Sequence, residues 1–113
     1  MNEEAMMRVM NDTLNGRLTA ELAGSHTPHF VSENSTLVQE LLAAYEDVTG
    51  CRGKALAIGG GTYARTMEEG VAFGALFSGE EELAHQANEY ITVEDLYRNM
   101  RIFAYAIVRL AGK

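Results

Sequence analysis

The chain has 113 residues, 47% of them apolar and 22% charged, the balance of one ordinary globular domain and not of a disordered segment. Its net charge of −7 argues against nucleic acid and anionic membrane surfaces as partners, since both call for a cationic face. No apolar run approaches the roughly 20 residues needed to cross a bilayer, and the single Cys51, with no leader pattern at the start, points to a reducing cytoplasm.

Residues 2–14 are predicted to form a helix. Ala5, Val9, Met10, Thr13 and Leu14 fall near one face, and Glu3 and Glu4 sit where the helix dipole favours anions. Asn15-Gly16 ends it, with Gly16 free to take a left-handed cap. Arg17 to Ala23 then alternates: Leu18, Ala20 and Leu22 point one way, Arg17, Thr19 and Glu21 the other, the period of a strand with one buried face. The polar stretch from Gly24 to Ser35 holds the only proline, Pro28, and reads as a crossing segment and a boundary. A second helix follows, capped by Asn34 or Ser35 and closed by Gly50, with Leu37, Val38, Leu41, Leu42, Tyr45 and Val48 as its apolar stripe.

Lys54 to Ile58 reads as a short strand of the doubly buried kind found in parallel sheets. Gly59, Gly60 and Gly61 come next, then a short helix from about Tyr63 to Glu69 that ends at Gly70, and a second apolar strand from Val71 to Leu76. Phe77 to Tyr90 has no clear period, is acidic at Glu80, Glu81 and Glu82, and holds His85. Thr92 caps the last helix with Asp95 in a capping-box spacing; Leu96, Met100, Phe103, Ala104, Ile107 and Ala111 form its apolar face. The expected fold is therefore α/β, with α+β as the alternative.

Chemistry concentrates at two places. A glycine-rich turn between strand and helix directs backbone N–H groups into a concavity that suits an anion. The spacing G-G-G-T is neither G-x-G-x-x-G nor G-x-x-x-x-G-K-S/T, so dinucleotide and P-loop readings fail. Local chemistry leaves open an anion pocket or a sharp turn needing positive φ. His85 is the other candidate. It has no His-x-x-x-His or Cys-x-x-Cys companion, and His26 and His29 lie on a different segment. Glu89, four residues on, could pair with it as a supporting carboxylate. A hydrolytic zinc site needs at least three protein ligands and usually a general base, and these are not visible here.

The stretches "STLVQELLAAYEDVTG", "IGGGTYAR", "GVAFGALF" and "HQANEYITVEDL", in that order, resemble the C-terminal end of PepV-type dipeptidases. These are zinc-dependent Xaa-His and β-Ala-Xaa dipeptidases of the aminoacylase and carboxypeptidase superfamily. The resemblance implies that 1–27 is a remnant of the family's lid domain, a helix plus a strand. It implies that 28–113 is the C-terminal part of the catalytic domain, with part of its sheet. It places His85 as the last zinc ligand, with Glu89 supporting its loop. Gly60, Gly61 and Thr62 match the loop that holds the substrate's C-terminal carboxylate through backbone N–H groups, with Arg65 as a nearby helper. The family's other zinc ligands, its bridging aspartate and its base glutamate lie upstream of anything in this chain.

Zinc is thus the cofactor of the full-length family, and tight zinc binding and peptidase activity are not expected of the isolated chain. A dipeptide or amino-acid carboxylate is the expected ligand. Apolar strands without neighbours lead to an expectation of a homo-oligomer or of a partner chain carrying the missing part. The alternative function is a non-catalytic α/β binding or assembly module built on the Gly59–Thr62 anion pocket.

Overall fold

Each helix of the chain begins at a side chain that satisfies an otherwise unpaired backbone N–H. The computed structural model describes residues 2–74 and 76–112. Helix α1 spans Glu3–Leu14, α2 spans Thr36–Thr49 and α3 spans Val93–Ala111, with one turn of 3-10 helix at Tyr63–Thr66. Asn2 caps α1, accepting from the Ala5 N–H at 2.9 Å. Ser35 caps α2 through the Val38 N–H at 3.3 Å, and Thr92 caps α3 through the Asp95 N–H at 3.0 Å. At the other ends, Asn15 closes α1 and Gly50 closes α2, both in the left-handed region, with φ of 48° and 69°.

The core lies between α2 and α3. Leu41, Ala44 and Ala106 are its buried cluster, and Leu37, Val71 and Phe73 pack against it. Ala44 is fully buried, and a methyl group at 44 and at 106 lets the two helices approach closely. Arg109 of α3 reaches across to α2, donating to Glu40 at 3.0 Å and to Asp47. Phe77 is buried beside the helix pair. It stacks on Tyr45 of α2 with ring centroids 6.4 Å apart, and the Arg98 guanidinium lies 4.0 Å over its ring. Gly74 approaches α3 so closely that a Cβ there would stand 2.8 Å from Phe103.

Helix α1 stands differently. It has no buried residue, and Met6, Val9 and Met10 are exposed. Its link to the following segment is polar: Asn11 receives the Ala20 N–H at 2.7 Å and donates to the Ala20 carbonyl at 3.1 Å, while Ser25 bonds Glu3. The radius of gyration is 19.3 Å, against about 13 Å for a compact domain of this length.

The expected α/β fold is not what forms, because the described residues contain three helices, one 3-10 turn and no strand. Arg17–Ala23 and Lys54–Ile58 are unpaired coil, and so are the described residues of the Val71–Leu76 segment, of which Ala75 lies outside the described set. There is accordingly no partial sheet and no helix-plus-strand unit at residues 1–27. The short helix expected from Tyr63 to Glu69 is a single turn that stops at Thr66. The physical reason is the source of backbone hydrogen bonds. A helix closes its bonds within one segment, whereas a strand needs a second strand alongside. Here the strand-patterned segments face solvent: Leu18 is 69%, Leu56 79% and Ile58 66% exposed. Val71 and Phe73 bury side chains on the helix pair without gaining a ladder.

Candidate functional site

The Gly59–Gly61 run is not a positive-φ turn: among the described residues the glycines with φ in that region are Gly16, Gly50, Gly74 and Gly79. A Cβ at Gly59 or Gly60 would meet nothing within 4 Å, so this backbone is open to approach. Gly61 is different, since a Cβ there would come within 2.8 Å of Arg65 Nη1. The missing side chain is what lets the Arg65 guanidinium fold back over the loop. Thr62 then starts the 3-10 turn, its Oγ1 accepting the Ala64 N–H at 3.2 Å, and the Arg65 N–H returns to the Thr62 carbonyl at 3.3 Å. Buried Ala64 anchors the turn. Gly70 seals its far side, where a Cβ would lie 2.5 Å from the Ala64 carbonyl oxygen.

Arg65 and Thr66 form one wall of an open cleft of about 610 Å³, and His26, Thr27, Pro28, His29 and Phe30 form the other. His29 Nε2 lies 2.6 Å from the Gly70 carbonyl oxygen. A carbonyl only accepts, so Nε2 carries the proton, and this bond ties the crossing segment to the loop. The structure thus sets Arg65 beside Gly61 and across the cleft from His26 and His29, which sequence reasoning had set aside. The only signal for them was a pair of histidines flanking the sole proline.

His85 sits elsewhere and does not line the cleft. It is exposed, with φ of 63°, and its backbone N–H donates to Glu89 Oε2 at 3.2 Å. The Gln86 side chain donates to the Glu82 carbonyl at 2.8 Å in the same turn. Among the described residues no three His, Cys, Asp or Glu groups come together as a metal cage. The unusual ionisation lies at the start of α3. There the Thr92 hydroxyl holds the Asp95 carboxyl below its ordinary range against partial desolvation, aided by Arg98 and Glu80. Arg109 is held above its ordinary value by Asp47 first and then Glu40. The Arg109 contacts join α3 to α2, whereas those of Asp95 lie at the start of α3 and the loop before it. No helix is long and apolar enough to cross a membrane among the described residues.

The profile of peptidase family M20/M25/M40 matches residues 6–109. Among curated proteins, the chain is 44% identical over 108 residues to a protein of Staphylococcus haemolyticus. It is 40% identical over the same length to one of Staphylococcus saprophyticus and 43% identical to one of Staphylococcus aureus. All three bear provisional dipeptidase names. Each match covers 96% of this chain and 23% of the relative, so the chain spans about a quarter of the length of the curated relatives it matches. No solved structure matches it significantly.

Proposed function

Because the chain belongs to peptidase family M20/M25/M40, we propose that it is the substrate-carboxylate-binding portion of a zinc-dependent dipeptidase of the PepV type. In this reading Gly60, Gly61 and Thr62 hold the peptide's terminal carboxylate through backbone N–H groups, and Arg65 adds charge. His85 contributes one zinc ligand, with Glu89 bracing its loop. Residues 1–27 derive from a lid domain and 28–113 from the catalytic domain. The observation that carries the reading is a match over 96% of the chain to relatives with dipeptidase names. The fold of Arg65 over Gly61 supports the carboxylate role.

Peptide hydrolysis then calls for ligands and a base from outside these 113 residues, since a zinc hydrolase uses at least three protein ligands. The exposed apolar side chains Leu56, Ile58 and Tyr63, with Met100, Phe103 and Ile107 on α3, support work in association, with a second copy or with a chain carrying the remaining ligands. A reducing cytoplasm fits the exposed, unpaired Cys51. The second reading is a non-catalytic binding module that uses the Gly59–Thr62 pocket, favoured by the lack of a metal cage among the described residues.

Zinc analysis of the purified chain together with a β-Ala-His hydrolysis assay tests the proposal. The expected result is no tight zinc and no turnover by the chain alone. Stoichiometric zinc with hydrolysis by the unaided chain would overturn the dependence on groups outside these 113 residues. In parallel, Gly61→Ala should displace the flexible Arg65 end at little cost in stability and weaken carboxylate binding about tenfold, the worth of one charge-assisted hydrogen bond. Unchanged binding by this variant would remove Gly61 and Arg65 from the site.

A further inference from the structure

Asn15-Gly16, at the end of α1, is the only place in the chain where glycine follows asparagine. Such a pair carries its own chemistry. The glycine nitrogen attacks the side-chain carbonyl carbon of the asparagine, ammonia leaves, and a cyclic imide closes. Water then opens the imide at either carbonyl and leaves aspartate or isoaspartate. Glycine favours the first step because no Cβ hinders the approach and its backbone turns freely.

The chain has six asparagines, and the structure sets this one apart. Asn15 and Gly16 are both exposed. Among the described residues neither the Asn15 side chain nor the Gly16 N–H makes a hydrogen bond. The other asparagines are held. Asn2 accepts from Ala5 at 2.9 Å, Asn11 bonds Ala20 through both ends of its amide, and buried Asn99 donates to the Asp95 carbonyl at 3.0 Å. After Asn34 and Asn88 it is the attacking nitrogen that is engaged: Ser35 donates to the Ser32 carbonyl at 2.9 Å and Glu89 to the Gln86 carbonyl at 3.3 Å. Asn15 itself sits in the left-handed cap, at φ 48° and ψ 44°, and closing the imide takes its backbone out of that cap. Little opposes the move, since α1 has no buried residue and an end without buried contacts opens at low cost.

We propose that Asn15 is a site of spontaneous imide formation and deamidation, and that the product loosens α1 from the segment after it. The nitrogen departs as ammonia, water supplies the new oxygen, and nothing is oxidised or reduced. The new carboxylate stands at the negative end of the helix dipole, where the last turn offers no basic residue. In the isoaspartate product the main chain also gains a methylene, which displaces the turn. The paired bonds from Asn11 to Ala20 bridge this same turn, so they are the contacts that the change disturbs. The inference is independent of the dipeptidase reading.

The test is ageing of the full chain at neutral pH. Peptide mass spectrometry and enzymatic isoaspartate methylation locate the converted residues, and amide exchange at Ala20 is compared in fresh and aged protein. Asn15 is expected to convert at least about tenfold faster than any other asparagine, because a side chain on the following residue removes the backbone freedom that glycine gives. The Ala20 N–H should then exchange about two- to fivefold faster, the effect of one unfavourable charge at a helix end. Asn15→Gly keeps a left-handed cap and has no side chain to cyclise, so its Ala20 exchange should not change with age. No conversion at Asn15, or equal conversion at Asn34 or Asn88, would overturn the site. Full conversion with unchanged Ala20 exchange would overturn the effect on α1, and so would an equal rise in the aged Asn15→Gly chain.

Discussion

Leu41→Ala probes the core between α2 and α3. Leu41 is 9% exposed and clusters with Ala44 and Ala106, with Leu37, Val71 and Phe73 against them. Three buried carbons at about 0.8 kcal/mol each set a transfer cost near 2.4 kcal/mol. A residual cavity normally adds to this, up to about 5 kcal/mol. The core here is thin, and its neighbours include half-exposed chain that can collapse, so about 2.5 kcal/mol is expected. In urea, with a slope of about 1–3 kcal/mol per molar for small proteins, the midpoint followed by far-UV circular dichroism should fall by roughly 1–2 M. Leu18→Ala, at a residue 69% exposed, serves as the control and should change stability by less than about 0.5 kcal/mol. Equal effects of the two substitutions would refute the assignment of stability to the α2–α3 contact.

Acid should loosen the start of α3. The Asp95 carboxyl is held below its ordinary value, so its contribution is present above the unfolded value of about 3.9 and is lost as pH falls through the lower, folded value. The melting temperature should drop across that window, and Asp95→Asn should remove the part of the drop that belongs to this residue; an unchanged acid profile in the variant would contradict the assignment. Gly74→Ala places a Cβ 2.8 Å from Phe103 and 3.1 Å from Asn99 Oδ1 at a φ of +98°. It should cost about 1–3 kcal/mol by urea unfolding, and a neutral result would mean that the 71–77 segment is not seated on α3. Glu89→Gln keeps an acceptor for the His85 N–H but removes the charge. Amide exchange at His85 should quicken modestly in this variant and far more in Glu89→Ala, whereas equal rates in all three would show that Glu89 does not brace the turn.

What could be read from the residues was what is local. Ser35, Thr92 and Gly50 announce helix ends because a cap acts on backbone two to four residues away, and the 3.6-residue stripe of α2 picks out Val38 and Leu41 among its buried residues but not Ala44. The strands could not be read correctly because alternation reports only a preference for one face, and the pairing that would make a strand lies in distant chain. Leu18 and Leu22 alternate properly and still face water. α1 behaves alike, since none of its periodic Ala5, Val9 and Met10 is buried. At the site, the closeness of Gly61 and Arg65 follows from a single turn, four residues apart. The facing of Arg65 by His26 and His29 joins residues more than 35 positions apart, and no local spacing rule reaches that far.

The bridge from Arg109 to Glu40 and Asp47 carries a consequence for how the helix pair can move. The two acceptors stand seven residues apart on α2, on one face and about two turns from each other, and a single guanidinium spans them. Sliding α3 by one helical step of about 5.4 Å would move Ala106 off Leu41 and Ala44. The guanidinium would then lose one or both of its carboxylates. The ion pairs of Arg109 and the apolar contact at Ala106 therefore report the same alignment, and a shift of α3 disturbs both together.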